Sequence, residues 1–95
     1  MPMGRQRRPQ PKYLAKKLKQ IRLELGLGQA AMAKRLGNVP SNPDGAMVSR
    51  FERGEREPNL LVIVAYCQAA GISADVLIDD KWKVKDLVWT MKGNK

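Results

Sequence analysis

The chain has no histidine and a single cysteine, Cys67, among its 95 residues. A zinc site draws about three or four ligands from Cys, His and carboxylates, and Ser-His-Asp arrangements need an imidazole, so both chemistries lack their parts. One thiol forms no intramolecular disulfide, which fits a reducing, cytoplasmic location. Long apolar runs are missing as well. The longest, Leu60–Cys67, falls far short of the roughly 20 residues a membrane helix needs, so no membrane partner is expected. The N-terminus is basic with no apolar segment behind it, which argues against a secretory signal.

Acidic residues are absent from positions 1–22, which hold eight basic ones: Arg5, Arg7, Arg8, Lys12, Lys16, Lys17, Lys19 and Arg22. Positions 23–95 hold ten basic and nine acidic residues, so the net charge of +9 is almost wholly an N-terminal property. That asymmetry points to a polyanionic partner, nucleic acid before membrane. A hydrophobic share of 43% is that of a folded chain. A domain this short buries only a modest core, and its stability is limited or helped by a partner.

Residues 1–11 carry three prolines, a glycine and three arginines with no periodic apolar position, and read as a disordered basic arm. A helix is expected from near Pro11, where Leu14, Leu18, Ile21 and Leu25 recur at helical spacing and Gly26 closes the stretch. A second helix fits Gln29–Leu36. Residues 38–45, with Pro40 and Pro43, are turn chemistry, and a third helix fits Asp44–Arg53 with Val48 and Phe51 inward. Asn59 is positioned to cap a fourth helix. Its inward stripe is expected at Leu60, Ile63, Val64, Cys67 and Ala70, which makes Cys67 a core residue. Ser73 opens a last short helix bearing Val76, Leu77 and Ile78. The tail holds Trp82 and Trp89 with weak periodicity and receives no assignment; both rings are expected to pack and not to stack on bases. The result is an all-α, five-helix chain in three parts: an arm (1–11), a helical domain (12–80) and a tail (81–95). Gly26–Ala31 formally spells a dinucleotide fingerprint, but that motif needs a strand before it and a helix precedes it here.

Helix, short helix, turn and helix in a basic chain suggest a helix-turn-helix DNA reader. The residues sharpen this. IRLELGLGQAAMAKRLG, then VSRFERGEREP, then NLLVIVAYCQAAGIS closely resemble the phage-repressor (Cro/C1, or Xre) helix-turn-helix family, over about residues 14–78. The SRFERGEREP segment is highly specific. The resemblance implies a lambda-repressor-like fold, a double-stranded DNA partner, no cofactor and no catalysis. It assigns Gln29, opening helix 2, to a DNA phosphate, a role that suits a helix N-terminus. It puts Arg50 at a base-reading position, where a guanidinium pairs with guanine O6 and N7. Arg53 and Arg56 correspond to phosphate clamps after helix 3, and Arg22 with Glu52 to a structural ion pair between helices 1 and 3.

Departures from the family pattern matter too. Gly28 replaces the usual Ser or Thr cap, and the turn before helix 3 is longer than the family's. The first recognition positions, Gly45 and Ala46, offer only backbone and a methyl, so readout should centre on Arg50 with Met47 and Ser49 secondary. Arg5, Arg7 and Arg8 are expected to reach DNA from the arm. Helix 4 is apolar nearly all round, since Leu61, Val62, Ala65, Tyr66 and Ala69 fill its other faces. Something must cover it. The tail folding back and a second copy together would make a two-fold dimer seam. The function expected is a transcriptional repressor. The alternative is an antitoxin whose tail covers a toxin while its helix-turn-helix represses the operon.

Overall fold

The computed structural model describes residues 11–37, 39 and 42–93. Among them there are six helices and no strand: α1 Leu14–Glu24, α2 Gln29–Leu36, α3 Gly45–Glu52, α4 Leu60–Ala70, α5 Ala74–Ile78 and α6 Val84–Met91. The expected arm lies outside the described residues except for Pro11. The first five helices are those the sequence announces, and the sixth arises in the tail.

α1 begins three residues later than expected. Pro11–Tyr13 form a turn instead, closed by the Leu14 N–H to the Pro11 carbonyl at 3.5 Å. At its other end the Gly26 and Leu27 N–H groups return to the carbonyls of Leu23 and Arg22 at 3.0 and 3.1 Å. This closure places Gly26 at φ +72°, which glycine adopts without strain. α1 buries Leu14, Lys17, Leu18 and Ile21 and packs against α3, α4, α5 and α6. α2 and α3 form the tightest helix pair, driving Met32, Leu36, Val48 and Phe51 into the core.

The stripe expected on α4 is corrected. Leu60 is 70% exposed and Val64 38%, whereas Val62 and Tyr66 are fully buried and Ala65 is nearly so. In a helix with apolar residues on every side, periodicity does not choose the inward face. Contact with α1, α2 and α5 chooses it, and Tyr66 is among the largest side chains fully buried there. Asn59 does cap this helix, accepting the Val62 N–H at 3.0 Å.

The tail folds as α6. The Asp86 carboxylate accepts the Lys83 N–H at 2.7 Å, Leu87 is fully buried, and Trp82 and Met91 pack on the core. α6 lies chiefly on α1, with a smaller contact to α5. Its cover therefore falls on α1 and leaves Leu60, Leu61 and Val64 of α4 exposed. Trp89, expected to pack, is 48% exposed. No described helix is long and apolar enough to cross a membrane.

Candidate nucleic-acid interface

α3 is held by both ends. Asp44 caps its start, accepting the Met47 N–H at 2.9 Å. Its end closes on Gly54 (φ +74°), with the Glu55 N–H bound to the Arg50 carbonyl at 2.9 Å. Between these stops Val48 and Phe51 face the core, and Met47 packs half-buried against it. The outward positions are Ala46, Ser49, Arg50 and Arg53, spaced as one helical face. Ala46 and Arg50 are exposed and Ser49 is half-buried.

Gly45 has a purpose its sequence position does not reveal. A Cβ there would lie 3.3 Å from both the Cα and the N of Ala30. The start of α3 thus runs against the backbone of α2, and the missing side chain is a packing requirement. Asp44, by contrast, carries a cap signal that the sequence itself shows, an aspartate just before a helical run.

One polar cluster ties the first three helices. Arg22 donates through Nε and its NH2 nitrogen to both oxygens of Glu52, at 2.7 and 3.0 Å, and through its NH1 nitrogen to the Leu27 carbonyl at 3.0 Å. Gln29 Nε2 donates to the same Glu52 at 3.3 Å. The Glu52 contact raises the Arg22 pKa further. With side-chain exposures of 12% and 4%, this pair is shielded from solvent. The Tyr66 hydroxyl lies buried beside it with no hydrogen-bond partner among the described residues, and burial pushes its pKa up.

Gln29 is the first residue of α2 and is half-buried. Gly28 before it supplies no side-chain cap, so the first-turn N–H groups of α2 have no such acceptor. Arg53 is engaged with its neighbours: Nε and its NH2 nitrogen meet Glu55 at 2.9 and 3.1 Å, and its NH1 nitrogen meets Ser49 Oγ at 2.7 Å. This bond holds the Glu55 carboxyl below its ordinary range. Arg56 is exposed beyond Gly54. Lys34 and Arg35, exposed at the end of α2, add positive charge there. Arg5, Arg7 and Arg8 lie outside the described residues, as do three residues of the expected 38–45 turn. Among the described residues no cluster of His, Cys, Asp or Glu is placed to hold a metal.

A family model described as helix-turn-helix matches residues 18–77, from within α1 to the last turn of α5. No curated protein and no solved structure matches the chain.

Proposed function

Because the chain belongs to the Cro/C1-type helix-turn-helix family of DNA-binding transcription regulators, we propose that it is a cytoplasmic, non-enzymatic repressor that reads operator DNA with α3. The observation that carries this reading is the outward face of α3. It presents Ala46, Ser49 and Arg50 beside an α2 N-terminus that has no side-chain cap. A helix N-terminus attracts phosphate and an exposed arginine reads guanine, so one element positions while the other specifies. Arg53 and Arg56 would then flank the groove as phosphate contacts, with Met47 limited by its packing to an edge role.

The domain boundaries at residues 11–12 and 80–81 belong to the same proposal, as does a homodimer built on α4 and the tail. Two copies about 34 Å apart would place their α3 helices in successive major grooves. The exposed Leu60, Leu61 and Val64 also favour a second reading, an antitoxin whose apolar α4 face meets a toxin.

Selection of bound sites from random duplex DNA tests the proposal. A defined, palindromic site is expected. Arg50→Ala should then abolish discrimination at one G·C pair, weakening the selected site by about 1–3 kcal/mol while random duplexes change little. Equal losses on both would remove Arg50 as the reading residue. Failure to enrich any sequence would remove the repressor reading.

A further inference from the structure

The Tyr66 hydroxyl is the one buried side-chain polar atom among the described residues that makes no hydrogen bond. Tyr66 has no exposed surface, so bulk water does not serve it. α4 packs on α1 and α2. Burial raises the phenol pKa, Glu52 raises it further and Arg22 lowers it, which sets the hydroxyl beside their ion pair. An unmade hydrogen bond in a protein interior is costly, and a group that bears this cost calls for a reason.

Glu52 supplies one. Its Oε1 accepts from the NH2 nitrogen of Arg22 at 3.0 Å and from Gln29 Nε2 at 3.3 Å. A carboxylate oxygen has about two acceptor sites, so these donors fill it. They are unequal. Arg22 also holds Oε2 at 2.7 Å and the Leu27 carbonyl at 3.0 Å. Gln29 is a neutral donor with one long contact, half-buried at the first position of α2. Of the two, Gln29 leaves at the smaller cost.

We propose that Tyr66 is a positioning residue for Gln29: when Gln29 turns from Glu52 to a DNA phosphate, the Tyr66 hydroxyl takes the vacated place on Glu52 Oε1. The inference rests on the DNA-binding reading above, in which the α2 N-terminus meets a phosphate. In the free protein Gln29 is bonded and Tyr66 is not; in the complex both are. The penalty of the orphan hydroxyl is thus carried by the free protein alone, and its removal favours the complex. Arg22 keeps Glu52 in place throughout, so the exchange moves side chains and not helices.

The first test needs no DNA. Thermal melting is measured for the parent chain, Tyr66→Phe, Gln29→Ala and the double variant. Tyr66→Phe should leave the parent's Tm unchanged or raise it, because the hydroxyl it removes makes no bond there. In the Gln29→Ala chain, where Oε1 is open to Tyr66, the same change should lower Tm. Duplex binding should show the complementary pattern. Tyr66→Phe should weaken it roughly two- to tenfold, the net worth of one hydrogen bond. Selected and random duplexes should lose equally, since a phosphate carries no sequence. With Gln29 already removed, Tyr66→Phe should have no effect on binding. Carbon NMR at Tyr66 Cζ adds a direct signature: its signal should shift when duplex is added to the parent, and stand shifted beforehand in Gln29→Ala. A Tm lowered equally in both backgrounds would show a hydroxyl already bonded in the free protein, to a buried water for example, and overturns the proposal. Unchanged duplex binding by Tyr66→Phe, or an equal loss with and without Gln29, overturns it as well. A parent chain that binds no duplex overturns the DNA-binding reading and the phosphate trigger with it, while the Tm pattern separately decides whether Tyr66 and Gln29 compete for Glu52.

Discussion

Lys17 is fully buried, and its ammonium donates to the carbonyls of Val76 and Asp79 at 2.8 and 3.1 Å. Burial lowers its pKa, while Asp80, Asp79 and Asp86 pull it back. The two carbonyls belong to the C-terminal end of α5, where a cation completes what a five-residue helix does not supply itself. Lys17→Met keeps the apolar stem and deletes the donor, leaving those carbonyls without this partner. A loss of about 1–3 kcal/mol is expected. Each kcal/mol lowers Tm by about 4–8 °C in a domain of this size, so thermal melting followed by circular dichroism reads it directly. An unchanged Tm would mean that solvent reaches the carbonyls and serves them equally well. Cys67 shows the opposite arrangement: burial first, and then the nearby Asp75 carboxylate, push its thiol pKa up, which leaves an inert side chain in the core.

At the scale of elements, the α2–α3 pair depends on Gly45. Gly45→Ala would improve helix propensity by up to about 1 kcal/mol. It would also force a methyl against the Ala30 backbone at 3.3 Å, and overpacking costs about 1–3 kcal/mol. Net destabilisation is expected in urea, together with weaker DNA binding, because α3 must tilt away from α2. A more stable variant with unchanged affinity would show that the two helices separate freely. The sequence makes α2 and α3 legible because each has one apolar face and a glycine stop, and the Arg-x-Glu-Arg-Gly run fixes their register. It leaves α4 ambiguous. Eight apolar residues in succession, Leu60–Cys67, carry no directional signal, so tertiary contact decided the face. α6 is hidden for a related reason: alternating Lys and apolar positions in 81–85 blur the helical period until Asp86 closes on Lys83. Gly45 is legible in the sequence as a recognition position that offers DNA only its backbone, but its packing role needs Ala30 in view.

At the scale of the whole molecule, the exposed triad on α4 sets the assembly test. Leu61 is 50% exposed, so Leu61→Lys should change the monomer's stability by less than about 0.5 kcal/mol. If α4 forms the seam, sedimentation at micromolar concentration should show a dimer for the parent chain and a monomer for the variant, with two-half-site DNA binding lost. A parent chain that sediments as a monomer and selects a single half-site would refute the dimer. A heterocomplex with a co-expressed neighbour through the same face would favour the antitoxin reading. The Arg22–Glu52–Gln29 cluster has a further consequence for how such a protein meets its target. It fastens three struts of the reading head to one point, and little of that head remains to be ordered on contact. A complex with DNA would then place the burden of adjustment on the duplex. Groove width and step flexibility at base pairs the protein never touches would enter into which sequences fit.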